Sequence, residues 1–146
     1  MEVILQLNFK LKRKSGNKSL KAGNEMLSAN DNYHHHVKAQ IIKHLRELSY
    51  KTFKENYPTC EEYYDENNKC DVEIIIYTPT KRVGDVPNWY PTIKPIIDGL
   101  TDGGLWSDDN SKVIKRFIFD YGGVKKSDTK GETQYNIELR ITPTKQ

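Results

Sequence analysis

Long apolar runs are missing from this 146-residue chain. No stretch approaches the roughly 20 consecutive apolar residues that a membrane-spanning helix needs, so no such span is expected. Cysteine is scarce. Cys60 and Cys70 are too few for a disulfide framework, and four ligands at finger-like spacing, which structural zinc would need, are absent. The N-terminus, Met1-Glu2-Val3-Ile4-Leu5, lacks the charged start and long apolar core of a signal peptide. A cytoplasmic protein with reduced thiols is the expectation. Hydrophobic residues are few, at 36%, so the core is modest and burial across a dimer interface would help a chain of this length. No composition shift or internal repeat divides residues 1–146, so a single domain is expected.

Net charge is also small, at +3, and its distribution is more informative. Residues 1–54 carry a balance of +7 and residues 55–73 a balance of −6, while the remainder is near neutral. A basic first third beside an Asp-bearing second half suits a polyanionic partner. A solvated surface of mixed sign is the plainer alternative.

Apolar periodicity outlines the elements. Val3, Leu5, Leu7, Phe9 and Leu11 alternate with mostly polar residues, which predicts a strand with one buried face. The stretch from Arg13 to Asn30 reads as a long basic loop. Asn30 or Asp31 is expected to cap a helix that starts near Tyr33 and ends between Phe53 and Tyr57. Tyr33, Val37, Ile41, Leu45 and Leu48 form its apolar stripe. Glu61 to Lys69 follows as an acidic loop. Val72, Ile74, Ile76 and Thr78 predict a second strand. Thr92 is expected to cap a short helix with Pro95 in its first turn, ended by Gly103-Gly104. Val113 to Tyr121 and Tyr135 to Ile141 predict two more strands. The order β-α-β-α-β-β points to an α/β (α+β) domain with one mixed sheet flanked by helices.

The chemistry concentrates between Asp85 and Asp109. Asp85, Asp98, Asp102, Asp108 and Asp109 lie there, with Asn88 and Lys94 among them. Magnesium takes hard oxygen ligands, commonly one or two carboxylates plus waters and phosphate oxygens. A strand-helix-strand unit can bring Asp85 and the Asp108-Asp109 pair to one edge of the sheet. Lys94 and Asp98, four residues apart, share a helix face. An ordinary turn and an ordinary surface ion pair would account for the same residues.

The string Asp85-Val86-Pro87-Asn88, Lys94, Asp98-Gly99-Leu100, Gly104-Leu105-Trp106 and Asp108-Asp109 resembles the signature of the RusA-like Holliday-junction resolvases. That signature reads approximately Asp-x-Asp-Asn, Lys, Asp-Ala-Leu and Gly-x-x-x-Asp-Asp, and the expected element order agrees over nearly the whole chain. The resemblance implies a homodimer that nicks four-way DNA junctions with Mg2+ or Mn2+. Asp85, Lys94 and Asp109 would be catalytic, and Asp85, Asp98, Asp108 and Asp109 would be the metal ligands. Two departures stand out. Pro87 occupies the place of the family's second acid, and the stretch from Asn88 to Lys94 is about three residues longer, carried by Trp89-Tyr90-Pro91-Thr92. A catalytically impaired junction-binding protein with the same fold is therefore the alternative. A third reading is an interaction module that uses the acidic Glu55–Glu73 segment.

Lys12, Arg13, Lys14, Lys18 and Lys21 in the basic loop, with His34 and Lys38 at the start of the first helix, are the expected DNA contacts. His34-His35-His36 is expected to splay on a helix, where neighbours point about 100° apart. The triplet is therefore read as a surface or DNA-facing cluster, not as a chelate. Trp89 is a candidate for stacking on bases, and Trp106 is expected in the core.

Overall fold

The computed structural model describes residues 3–13, 24–59, 62–81, 84–127 and 133–145. It contains β1 (Leu5–Arg13), α1 (His35–Asn56), β2 (Cys70–Thr78), α2 (Tyr90–Asp102), β3 (Ile114–Val124) and β4 (Thr133–Pro143). A short 3₁₀ turn, Val86–Trp89, leads directly into α2. The four strands form one mixed sheet in the order β1-β4-β2-β3, and the expected α+β domain is what the chain adopts. β4 lies antiparallel between β1 and β2, whereas β2 and β3 run parallel, joined through α2. No helix among the described residues is long and apolar enough to cross a membrane.

Alternation in the sequence becomes a one-sided core. Leu5, Leu7, Phe9 and Leu11 of β1 are buried, as are Val72, Ile74 and Ile76 of β2 and Ile137, Leu139 and Ile141 of β4. Ile41, Leu45 and Phe53 of α1 and Ile93, Ile96, Ile97 and Leu100 of α2 complete the same cluster. Each such side chain contributes roughly 1.5–3 kcal/mol on burial. β3 is different. It forms one edge of the sheet, and Phe117, Ile118, Tyr121 and Val124 remain 38–45% exposed.

The helix starts depart from expectation. α1 begins at His35, not near Tyr33, because Asp31 is engaged elsewhere. Its carboxylate accepts the Ser28 N–H at 2.6 Å and binds Arg13 at 2.6 and 2.9 Å, making a turn rather than a cap. His34 takes the cap, its Nδ1 accepting the His36 N–H at 3.3 Å. α2 begins at Tyr90, so Pro91, not Pro95, lies in its first turn, and Pro95 sits within the helix. Thr92 is not a cap: its buried hydroxyl accepts the Leu27 N–H and donates to the Leu27 carbonyl, each at 2.7 Å.

The two helices cross closely where Gly99 of α2 meets Ser49 of α1. Ser49, fully buried, donates from Oγ to the Ile96 carbonyl at 2.6 Å. Ser49→Ala removes that bond but leaves no charged group stranded. It is expected to lower stability by about 1 kcal/mol, read as a lower urea midpoint at unchanged slope. A midpoint equal to the parent's would show that the bond adds nothing at this crossing.

Tyr64 anchors the acidic segment to the core. Tyr64 is fully buried, bridges to Trp106, and donates its hydroxyl to the Val3 carbonyl. Asp65 then accepts the Asn67 and Asn68 N–H groups at 2.8 and 2.9 Å, which closes a turn.

Candidate active site

Lys94 and Asp98 stand one turn apart on the exposed side of α2, and the Lys94 ammonium donates to Asp98 Oδ1 at 2.9 Å. The same ammonium donates to Asp109 Oδ2 at 3.1 Å, which brings in the loop before β3. Local chemistry delivers Asp109 to that point. Gly104 turns the chain at φ +82°, a conformation that favours glycine. Trp106, buried as expected, latches back by donating its indole N–H to Thr101 Oγ1 at 2.7 Å. Asp108 accepts the Asp109 N–H at 2.7 Å and the Asn110 side-chain amide at 3.0 Å. Asp108 therefore builds the turn, and Asp109 is the residue presented.

The side chains of Asp98 and Asp109 are only 27% and 18% exposed, against 47% for Lys94. Burial pushes the Asp109 carboxyl up. Its contacts with Asp98 and the Lys94 ammonium outweigh burial and hold it below the ordinary carboxylate value. Hydrogen bonding to Asp98 raises Lys94 above its ordinary value; burial opposes this and Asp109 adds to it. The raised Lys94 thus stays an ammonium bridging the two acidic side chains, and it is a charge donor, not a base.

Asp85 is not joined to this cluster. It is exposed and precedes the 3₁₀ turn, where its carbonyl accepts the Asn88 N–H at 3.0 Å while its side chain makes no capping bond. Pro87 lies within that turn. No three carboxylates among the described residues gather their oxygens about one point. The acids that share the Lys94 ammonium are Asp98 and Asp109. Two anionic oxygens beside an open face fit Mg2+ or Mn2+, which fill their remaining positions with water or phosphate oxygens.

The expected DNA contacts divide into groups. Lys12 and Lys38 are exposed. Arg13 is not a free cation: it clasps Asp31, donates to the Met26 carbonyl at 3.2 Å and lies 5.0 Å over the Trp89 ring. Trp89 is half-buried between Arg13 and Tyr135, with ring centres 5.1 Å apart in the latter pair. Lys14, Lys18 and Lys21 lie outside the described residues, as does Cys60.

Two features escaped the sequence reading. Asp102 pairs with Arg46 of α1 through two bonds of 2.6 and 2.8 Å, tying the helices together near the crossing. Tyr90 packs edge-on to Phe117 and Phe119 of β3, at 6.5 and 6.3 Å. Tyr90 shares the helix face of Lys94, so an exposed aromatic shelf adjoins the charged cluster. The aromatic spacing in β3 was the available signal, but it reads equally as a buried strand.

Fold and site together define a small α+β domain with a lysine-bridged carboxylate pair beside an aromatic shelf. Comparison with models of known protein families and with curated proteins finds no match.

Proposed function

We propose that the chain is a metal-dependent, structure-selective endodeoxyribonuclease of the RusA-like resolvase type, acting on branched DNA in a bacterial or phage-infected cell. The observation that carries this reading is the Lys94 bridge between Asp98 and Asp109. The three residues are separated in the resembled signature, and the fold draws them within hydrogen-bond reach of one another.

Asp98 and Asp109 would hold Mg2+ or Mn2+, and a bound dication supplies Lewis-acid activation of water and charge neutralisation at a phosphodiester. Lys94, protonated and half-exposed, is placed to donate to a non-bridging phosphate oxygen as negative charge builds. Its position between two acids keeps the ammonium aimed into the site until phosphate enters. The exposed rings of Tyr90 and Phe117 offer apolar surface to unstacked bases at a branch point. Lys12 and Lys38 extend positive surface for the backbone, with exposed His34 nearby in sequence as a hydrogen-bonding side chain. The open β3 edge, with Phe117, Ile118, Tyr121 and Val124 exposed, suits pairing with a second copy. A homodimer would present two sites for paired nicks.

A second reading is a protein that binds junctions without cutting them. It is favoured by Pro87 in an acid's place and by the absence, among the described residues, of a third carboxylate gathered with Asp98 and Asp109. The deciding experiment is incubation with a synthetic four-way junction and with linear duplex, each with Mg2+, with Mn2+ and with chelator. Metal-dependent paired nicks near the branch are expected, with duplex left intact. Tight junction binding without nicks under any metal condition would establish the second reading instead.

A further inference from the structure

We propose that His34, His35 and His36 form a surface site for a borderline transition-metal dication of the Zn2+ or Ni2+ class, separate from the carboxylate pair. On a continuous helix the three rings would splay. Here α1 starts one residue after His34, whose backbone is extended at φ −58° and ψ 144°. The first ring therefore approaches from outside the helix and meets the other two. Ring centres lie 4.2 Å apart for His34–His35, 4.1 Å for His35–His36 and 5.0 Å for His34–His36. One ligand nitrogen from each lies within 4.8 Å of the others. Among the described residues this is the group of three possible ligands that gathers closely enough to share an ion.

Tetrahedral zinc with Zn–N bonds of about 2.0–2.1 Å sets its nitrogens about 3.3 Å apart. The exposed imidazoles are free to turn out of their tilted packing to reach that spacing. All three histidines are exposed, so an ion has free access and a water can complete the coordination. The His34 Nδ1 is engaged by the His36 N–H, which leaves its Nε2 for metal. Imidazole donors select Zn2+, Ni2+ or Cu2+ over Mg2+, whereas the Asp98–Asp109 pair has the opposite preference. Two opposing influences keep the site weak. The positive end of the α1 dipole lies beneath it, and Lys38 sits one turn along. Cys70 does not compete, because it is fully buried and burial pushes its thiol up to about 12.

The test is calorimetric titration of the full chain with Zn2+ alone in chelator-free buffer near neutral pH. One equivalent is expected to bind with a dissociation constant on the order of 1–10 μM, weaker than a four-ligand structural site. Each of His34→Ala, His35→Ala and His36→Ala should weaken binding by about tenfold or more, since each removes one of three donors. Circular dichroism should show unchanged helix content for His35→Ala and His36→Ala and at most fraying of the first turn for His34→Ala, which also removes the α1 cap. The double variant Asp98→Asn/Asp109→Asn, Cys60→Ser, and saturating Mg2+ should each leave zinc affinity unchanged. The proposal is overturned by zinc binding no tighter than about 1 mM. It is equally overturned by single histidine losses that each cost less than about threefold, the behaviour of a floppy tract in which any two donors suffice. Dependence on the aspartates or on Cys60 would place the ion elsewhere.

Discussion

Asp109→Asn is expected to lower junction cleavage by about three orders of magnitude at saturating Mg2+, while junction affinity holds or rises. The size follows from what the residue does. Asp109 is the more enclosed of the two acids; burial pushes its carboxyl up, but its hydrogen bonds and the Lys94 ammonium hold it below the ordinary value. The amide keeps the shape but has no charge. It weakens the hold on a dication and also releases Lys94 to pair with Asp98 alone. Binding of a polyanion gains from the lost negative charge. Asp108→Asn is the matched control. Its oxygens accept from the Asp109 N–H and the Asn110 amide, and an asparagine carbonyl can still accept the first. Cleavage should fall only a few-fold, through a loosened turn. Equal losses in the two variants would show that the turn, not Asp109, is what matters. An unchanged rate for Asp109→Asn, measured by single-turnover cleavage, would remove it from the chemistry altogether.

Much of the fold was legible because β1 and β4 each have one dry face opposite a wetter one. The alternation of Leu5, Leu7, Phe9 and Leu11 carries over directly into burial, as does that of Ile137, Leu139 and Ile141. What local patterns could not convey were contacts made across long sequence separations. Asp31 has the composition of a helix cap, but Arg13, eighteen residues earlier, recruits it into a clasp. Thr92 looks like a cap too, and its hydroxyl is instead taken by Leu27. β3 alternates aromatic residues as an interior strand does, yet periodicity reports which side a residue faces and not whether a neighbour covers it.

The site divides along the same line. Lys94 and Asp98 were legible from their spacing on one helix. The arrival of Asp109 depends on the Gly104 turn and on the Trp106 latch to Thr101, neither of which spacing reveals. Asp85 was expected to converge with the other acids, but no group of three carboxylates gathers among the described residues. The histidine triplet lies on the surface as read, but its rings do not splay. Once Asp31 is diverted, the helix begins later, and three rings expected to splay come together.

Gly99→Ala ties fold to site and is expected to destabilise the domain by about 2–3 kcal/mol, although alanine is the better helix former. A Cβ at position 99 would sit 2.4 Å from the Arg46 carbonyl oxygen and 2.7 Å from Ser49 Cβ. The first of these is backbone inside α1, so no side chain can swing away. The helices must separate, straining the Ser49–Ile96 bond and the Arg46–Asp102 pair that span the same crossing. Propensity acts in the opposite direction by about 1 kcal/mol, which is smaller than the cost of overpacking. Because Asp98 adjoins position 99 and Lys94 lies one turn further back, a displaced α2 also carries both away from Asp109. Cleavage should therefore fall by an order of magnitude or more even well below the unfolding midpoint, where the variant is fully folded. Chemical denaturation and cleavage on the same preparation separate the two effects. A midpoint equal to or above the parent's, as propensity alone would give, would mean that the helices tolerate a methyl group at the crossing and that α2 is not held in place there. Lost stability with full activity would instead show that the lysine-bridged pair does not depend on the register of α2.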